Sequence, residues 1–335
     1  MSPTKADFKA VLSQARDLVK EELELTENVI MQVANNAPAG ISNRLVSLFN
    51  RKGKRIRSTL LCLLANCGTE KPDLNRVAQS CAAVELLHLA SLVHDDIIDG
   101  TDVRRGQKTA HREWGTQVAV LIGDYVLSQS MRCVIDESAN IPAIISDAAD
   151  KLIVGEILEL DHSGDMGLSR KAYNEIIDGK TAALIDAAAR IGGILAGFDQ
   201  LMVDECAKMG SHFGIAFQII DDLLDYGYGS VNMDKAKFTD LSNGLITLPL
   251  LYYFEDCNAE ERTEMEDLIA KASEEGVPEK IFNRLNAKKS LEKAKAKAEA
   301  LEHLEQALAI ADKFPKSDFT DDLVAMFSSM SERGN

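Results

Sequence analysis

Two copies of one acidic pattern lie inside strongly apolar, helix-compatible stretches of this 335-residue chain. Residues 95–99 and residues 221–225 each read as two aspartates, two aliphatic residues and a third aspartate. On a helix, the first and fifth residues share one face, with Cβ atoms about 5–6 Å apart. Carboxylates held that close repel one another and raise each other's pKa. The fold must therefore place both clusters where cations can compensate their charge.

Hard oxygen ligands in this number indicate Mg²⁺, which keeps several waters and bridges a few carboxylates to a substrate phosphate. Two such clusters facing each other across a cavity would hold a diphosphate between them. The candidate metal ligands are Asp95, Asp96, Asp99, Asp221, Asp222 and Asp225.

Helical periodicity runs through the chain, and alternating β-branched runs with tight turns are nearly absent. The chain contains no Pro/Gly/Ser-rich linker, and 46% of its residues are hydrophobic. We therefore expect an all-α fold in a single domain over residues 1–335. The expected helices are 8–34, 41–50, 55–67, 74–99, 115–135, 141–161, 169–192, 199–226, 244–256, 260–273 and 287–314, with a polar loop at 100–106 and a mobile loop at 227–243.

Charge and composition exclude several classes of function. A net charge of −16 argues against nucleic acid as a partner. No run of about 18 apolar residues occurs, so no membrane span is expected. The six cysteines form no CxxC pair, which indicates reduced core thiols in a cytoplasmic protein.

Basic residues occur at two places that could complement the acidic clusters. Residues 53–57 begin a predicted helix with Gly53, Lys54 and Arg57, and a basic helix N-terminus favours phosphate. A solvated basic turn is the alternative. Arg104 and Arg105 follow the first cluster and could bind a phosphate or simply neutralise neighbouring aspartates.

Further polar residues interrupt apolar helices. His88 lies two turns before Asp95, Lys180 and Thr181 interrupt an alanine-rich helix, and Gln218 precedes Asp221 by one turn. Taken singly, a core histidine or an interhelical amide explains such residues. Lys54, Arg57, His88 and Arg105 together offer a second, metal-independent anion site. Two diphosphates side by side in an apolar bundle imply the joining of two diphosphate-bearing hydrocarbons.

The motifs resemble those of trans-polyprenyl diphosphate synthases, in order, over roughly residues 40 to 255. The matching segments are residues 53–57, 85–88, 93–99 with 104–106, 123–124, 179–181, 217–225 and 247–249. The resemblance implies a bundle of about a dozen helices around a deep central cavity, usually as a homodimer. It also implies three Mg²⁺ ions, with isopentenyl diphosphate and an allylic diphosphate as substrates.

The resemblance also implies residue roles. Asp95, Asp99 and Asp221 would be direct metal ligands, whereas Asp96, Asp222 and Asp225 would act indirectly or through water. Four residues expected to take part in catalysis would hold the allylic diphosphate together with Lys235: Arg104, Lys180, Thr181 and Gln218. Isopentenyl diphosphate would be held by Gly53, Lys54, Arg57, His88 and Arg105.

One departure from the family pattern bears on the chemistry. Leu245 stands where the family has a lysine near the diphosphate, and Lys235 or Lys237 would have to compensate. This leaves open a non-catalytic subunit of a heteromeric synthase. A class I terpene cyclase is a further alternative, but it needs an Asn/Ser/Glu triad in place of the second acidic cluster.

Product length should be decided on the helix upstream of Asp95. Short-chain synthases that resemble this pattern have one or two aromatic residues at the positions of Ala90 and Ser91, where this chain has small residues. Each helical turn spans 5.4 Å, roughly one isoprene unit. The small pair therefore indicates a product longer than C15 and favours the bacterial octaprenyl type, with a geranylgeranyl or farnesyl diphosphate synthase as the alternative.

Overall fold

The computed structural model describes residues 7–51, 53–137, 140–227, 238–271, 277–287 and 291–331. They confirm the all-α prediction. In chain order the helices are α1 (Phe8–Leu18), α2 (Lys20–Asn36), α3 (Ala39–Phe49), α4 (Ile56–Ala65), α5 (Leu74–Ile98), α6 (Ala110–Trp114), α7 (Thr116–Cys133), α8 (Ile141–Asp161), α9 (Arg170–Ile177), α10 (Ala183–Leu195), α11 (Gln200–Asp225), α12 (Thr239–Ser242), α13 (Leu248–Asp256), α14 (Ala259–Ile269), α15 (Val277–Ala287), α16 (Leu291–Ala311) and α17 (Asp318–Met330).

Two long helices form the centre of the bundle and carry the acidic clusters at their C-terminal ends. Helix α5 packs against α2, α4 and α7, and α11 packs against α10 and α16. Both helices begin at an aspartate cap: Asp73 accepts from the amide of Asn75 at 2.8 Å, and Asp199 from that of Met202 at 2.9 Å. Because a helix C-terminus carries partial negative charge, it adds to the electrostatic cost of the carboxylates there.

The structure divides three predicted segments differently. The helix expected over 8–34 is broken at Val19, and the helix expected over 169–192 contains a π-helical segment (Asp178–Ala182) between α9 and α10. The loop expected at 100–106 contains a short hairpin, in which strand β1 (Val103–Arg104) pairs antiparallel with β2 (Gln107–Lys108). Helices α6, α12, α15 and α17 were not predicted.

Three glycines let α8 and α11 approach the π-helical segment closely. A Cβ on Gly155 of α8 would lie 2.6 Å from the amide nitrogen of Lys180, and one on Gly179 would lie 2.7 Å from the carbonyl oxygen of Lys151. A Cβ on Gly214 of α11 would lie 2.6 Å from the Cα of Ala182. Real Cβ atoms do not come this close to backbone, so only glycine permits the packing. It fixes Lys180 and Thr181 between the two helices.

Within the described residues, no helix is both long enough and apolar enough to cross a membrane.

Candidate active site

Two adjoining cavities lie between the acidic ends of α5 and α11. The first has a volume of about 440 Å³ and the second about 550 Å³. Both are lined by the same five polar residues: Arg104, Arg105, Lys180, Thr181 and Gln218. Every one of these residues is among the site residues predicted from the sequence. The shared lining means that charges on these side chains act on the contents of both cavities.

The first cavity has a cationic wall. Gly53, Lys54, Arg57 and His88 line it together with the shared arginines. Helix α4 begins only at Ile56, so Lys54 lies before the helix instead of sharing a helical face with Arg57. These residues were predicted to form one anion site, and the fold brings them to one wall.

Arg55 shapes the turn that presents this wall. Its φ of 56° is left-handed, which is uncommon for a residue with a side chain. Its guanidinium is held by Glu27 at 2.8 Å and Glu85 at 2.6 Å. The Glu85 carboxylate also accepts the hydroxyl of Ser58 at 2.5 Å. Arg55 is therefore committed to carboxylates of the protein, and these contacts fix the backbone between Lys54 and Arg57.

Arg57 and His88 have the properties expected of an anion-binding site. The Nε atom of Arg57 is buried and has no hydrogen-bond partner among the described residues. Burial lowers the pKa of Arg57, and Glu85 and Asp221 oppose that effect. Burial, with Arg57 and Arg105 nearby, lowers the pKa of His88 well below its usual value. His88 is therefore neutral and has one N–H to donate.

The hairpin presents the two arginines. Arg105 and Gly106 form its two-residue loop with φ values of 52° and 77°, as a type I′ turn requires. Arg104 donates from Nε to the buried carboxylate of Asp96 at 2.6 Å. A Cβ at Gly53 would lie 3.0 Å from the Arg105 guanidinium, so glycine keeps this corner open. The hairpin joins the basic turn to the first acidic cluster.

The acidic clusters carry poorly compensated charge. Asp95 and Asp221 line the first cavity, whereas Asp99, Asp222 and Asp240 line the second. Burial, Glu156 and Asp99 raise the pKa of Asp95 to about 7, and Lys180 opposes this rise. Burial and Asp225 raise the pKa of Asp240 to about 7. A cation between the clusters would relieve this repulsion.

The donor set fits Mg²⁺ shared with a phosphate ligand. Among the described residues, no three carboxylate, imidazole or thiol side chains lie close enough together to hold an ion by themselves. Mg²⁺ usually binds through one or two carboxylates, with waters and substrate phosphate oxygens completing its octahedron. Aspartates on opposite helices, separated by a cavity with cationic walls, match that demand.

Lys180 is held between two glutamates of α8. Its ammonium contacts Glu156 at 3.1 Å and also pairs with Glu159. Burial lowers the pKa of Lys180, but Glu159 and Glu156 outweigh burial and raise the pKa above its ordinary value. Lys180 is thus a fixed positive charge beside Asp95, in the wall shared by both cavities.

Comparison with known proteins agrees with this geometry. The model of the family described as "Polyprenyl synthetase" matches residues 39–285. The chain belongs to the polyprenyl synthetase family. It is 30% identical to the octaprenyl diphosphate synthase of Haemophilus influenzae, over 90% of this chain and 91% of that one.

Solved structures share the whole fold with this family member. The decaprenyl diphosphate synthase of Rhodobacter capsulatus superposes with a TM-score of 0.90 at 28% identity, over 97% of this chain and 99% of the other. A Caulobacter crescentus polyprenyl synthase, crystallised with calcium and isoprenyl diphosphate, gives 0.84 at 27% identity, over 97% and 98%.

Several predicted residues of this polyprenyl synthetase have other neighbours than the sequence suggested. Ser91 lines the first cavity, whereas Ala90 is buried among apolar residues of α5 and α7. Leu245 lines the second cavity, so the position that lacks the family's lysine does face the site. Asp225 accepts the backbone amides of Thr239 at 3.1 Å and Asp240 at 3.2 Å. Lys235 and Lys237 lie outside the described residues.

Four polar residues of this site were not predicted from the sequence. They are Glu156, Glu159, Tyr173 and Asp240. A signal existed for the glutamates, since two acidic residues three apart on an apolar helix share one face. Nothing in the sequence distinguishes Tyr173 from an ordinary core aromatic.

Proposed function

We propose that this protein is a trans-polyprenyl diphosphate synthase that condenses isopentenyl diphosphate with an allylic diphosphate and releases a product longer than C15. One observation carries the proposal: the aspartates of α5 and α11 and a separate set of cations line two cavities that share a wall. This arrangement accepts one diphosphate that brings metal ions and one that needs none.

The residues divide between the two substrates by position. Lys54, Arg57, His88 and Arg105 would bind isopentenyl diphosphate through charge and the neutral imidazole N–H, with Gly53 leaving room. Arg104, Lys180, Thr181 and Gln218 would bind the allylic diphosphate at the shared wall, joined by Lys235. Apolar residues of the first cavity, including Leu86, Leu89 and Leu92, would exclude water from the carbocation.

We propose that Asp95, Asp99 and Asp221 hold Mg²⁺, three ions in all, and that Asp96, Asp222 and Asp225 act indirectly. The bound ions would stabilise the negative charge of the leaving diphosphate. Lys180 and Arg104 add fixed positive charge at the same place, which is stabilisation prepared before the reaction. The double bond of isopentenyl diphosphate then attacks the allylic carbon, and the proton lost afterwards passes to the departed diphosphate.

The test is an incubation of the purified protein with isopentenyl diphosphate, farnesyl diphosphate and Mg²⁺, followed by sizing of the product. We expect all-trans chains, centred on the octaprenyl length. Chelation of Mg²⁺ or the Asp221→Ala variant should stop the reaction. A cyclised hydrocarbon would identify a terpene cyclase. A C15 or C20 product would identify a short-chain synthase.

Leu245 makes one further outcome informative. If the wild-type chain is inactive alone but active after a second polyprenyl synthetase chain is added, the protein is a subunit of a heteromeric enzyme. The Leu245→Lys variant supplies the missing charge at the second cavity. Activity of that variant without a partner would locate the defect at this position.

We also propose a homodimer. Large apolar side chains are exposed on α7 and α8, with Leu121 67% exposed, Ile153 54% and Ile157 51%. Exposed apolar surface of this kind marks an association site. Light scattering should give about twice the 36.6 kDa of one chain. A monomer at micromolar concentration would refute the dimer, and Ile157→Glu should weaken it.

We also propose a single domain and a cytoplasmic location. A single domain is supported by the packing of α1 against α17, which brings the two ends of the described chain together.

A cytoplasmic location is supported by the thiols, since the sulfur atoms of Cys62 and Cys81 lie 3.5 Å apart and form no disulfide.

A further inference from the structure

Tyr173 stands at the buried end of a hydrogen-bonded chain that reaches the shared wall of the two cavities. It lies on α9, is only 2% exposed and lines the second cavity. Its hydroxyl donates to Oδ2 of Asp222 on α11 at 2.6 Å. A buried hydroxyl that found no partner would be costly, so this contact fixes the tyrosine.

The chain continues from Asp222 to the cavity. Gln218 donates from Nε2 to Oδ1 of Asp222 at 2.8 Å, one helical turn away. The Gln218 carbonyl oxygen accepts the Thr181 hydroxyl at 2.6 Å. Thr181 belongs to the π-helical segment, so the chain ties α9, α11 and that segment together.

The chemistry of these groups sets the direction of the hydrogen bonds. The amide of Gln218 turns its NH₂ group to Asp222 and its carbonyl oxygen to the hydroxyl of Thr181, so each donor of this chain meets an acceptor. The hydroxyl hydrogen of Thr181 is then committed to Gln218. The hydroxyl oxygen of Thr181 therefore faces the cavity as a hydrogen-bond acceptor.

We propose that Tyr173 is a positioning residue for the allylic side of the site: it orients Asp222, which sets the amide orientation of Gln218 and the hydroxyl direction of Thr181. The inference rests on the proposed function. Both oxygens of Asp222 are engaged by this chain, and its carboxylate is 1% exposed. Asp222 therefore serves the site by orienting neighbouring side chains.

Removal of one hydroxyl tests this, because Tyr173→Phe keeps the ring that packs in the core. We expect the KM for the allylic diphosphate to rise, or kcat to fall, by about ten- to a hundredfold, the range found when a residue supporting a site is lost. The KM for isopentenyl diphosphate should stay within about twofold, since none of the side chains proposed to bind it belongs to this hydrogen-bonded chain.

The matched control is Tyr252→Phe. Tyr252 on α13 donates to Glu299 at 2.6 Å, the same hydrogen-bond length to the same kind of group. Glu299 also binds Arg170 on the outer side of α9, and neither Tyr252 nor Glu299 lines the two cavities. The control should lose less thermal stability, since Tyr252 is only partly buried and Glu299 keeps Arg170, and it should keep both Michaelis constants.

A double-mutant cycle tests whether the effect travels along the chain. If Tyr173 acts through Thr181, the effects of Tyr173→Phe and Thr181→Val on allylic kcat/KM are not additive, and the double variant is close to the worse single one. Additive effects would overturn the proposal. So would a Tyr173→Phe variant that weakens both substrates equally, or one that loses stability and keeps its kinetics.

The role of Tyr173 can be tested even if the proposed synthase activity is absent. If the wild-type protein makes no prenyl product, the assay becomes calorimetric binding of Mg²⁺ with inorganic diphosphate. There Tyr173→Phe should bind at least about tenfold more weakly than wild type, and Tyr252→Phe should bind like wild type. Equal binding by all three proteins would refute the role of Tyr173.

Discussion

At the residue scale, the two proposed substrate sites differ in how their cations are held. Arg57 is buried, with an Nε that finds no partner among the described residues, beside a neutral His88. Lys180, by contrast, is bound by Glu156 and Glu159. The first pair is incomplete until an anion binds, whereas Lys180 contributes fixed charge. Loss of each should therefore affect a different substrate.

Arg57→Ala should raise the KM for isopentenyl diphosphate by about tenfold or more, because a charge-assisted hydrogen bond is worth about 1.5–3 kcal/mol. Lys180→Ala should instead raise the KM for the allylic diphosphate. Initial rates with each substrate varied in turn separate the two effects. If both variants changed only the allylic constant, the division into two sites would be wrong.

The raised pKa of Asp95 predicts that the stability of the metal-free protein depends on pH. In the metal-free protein its pKa is about 7, against 3.8 for an ordinary aspartate, so the folded state binds more protons than the unfolded state between these values. The free energy of unfolding should therefore fall as pH rises from about 4 to about 7, and stay lowered above that.

The Asp95→Asn variant lacks the carboxylate that destabilises the metal-free protein above about pH 4. At pH 8 in chelator, its melting temperature should exceed that of wild type, and the difference should vanish near pH 4. Its synthase activity should fall more than about tenfold, since a proposed metal ligand is lost. Thermal scans at several pH values check the first claim. A variant with near-native turnover would contradict the assignment of Asp95 as a ligand.

At the element scale, the π-helical segment is held in place by backbone contacts that only glycine allows. Gly155 of α8 and Gly214 of α11 approach it from two sides. A π-helical turn is rare and frequently occurs at functional sites. Here it carries Lys180 and Thr181, so the packing of three elements determines where two proposed ligands of the diphosphate lie.

Gly214→Ala should destabilise the protein by about 1–3 kcal/mol, the usual cost of overpacking, because its Cβ would meet the backbone of Ala182. It should also lower allylic kcat/KM by displacing Thr181. Gly40→Ala is the control: it lies in α3 with open space around it and should stabilise the helix by about 0.4–1 kcal/mol. Urea denaturation measures both. Equal stability of the two variants would disprove the packing argument.

At the scale of the whole molecule, the proposed function requires space beside the diphosphate sites for the growing tail. Ser91 lines the first cavity, one turn before Asp95, and its hydroxyl donates to the carbonyl of His88 at 2.9 Å. Ala90 is buried at 2% exposure in an apolar cluster that includes residues of α2, α3 and α7. The two small residues predicted to act together thus lie in different surroundings.

Ser91→Phe should shorten the product towards C15–C20 while condensation continues, because the ring takes up cavity space that the growing tail would otherwise occupy. Ala90→Phe adds bulk to this packed apolar cluster, so any shortening there should come with a loss of about 1–3 kcal/mol of stability. Product sizing beside thermal scans distinguishes them. Full-length product from the Ser91 variant would show that the tail runs elsewhere.

The sequence by itself determined the helical class, the two acidic clusters and the basic residues that complement them. Helical periodicity and charge are local properties of a chain, so they can be read without a fold. The balance of anions and cations placed residues 53–57, 104–105 and 180–181 around two neighbouring diphosphate sites, and in the structure these residues line one cavity.

Only the tertiary structure decided which side chains meet. The hairpin at Arg105, the break at Val19 and the π-helical segment depend on turn geometry and on glycine contacts between distant elements. Tyr173 and Asp222 are 49 residues apart in the chain and 2.6 Å apart in space. A hydrogen bond between side chains of two helices leaves no periodicity in either, so its partners are found only when the helices are packed.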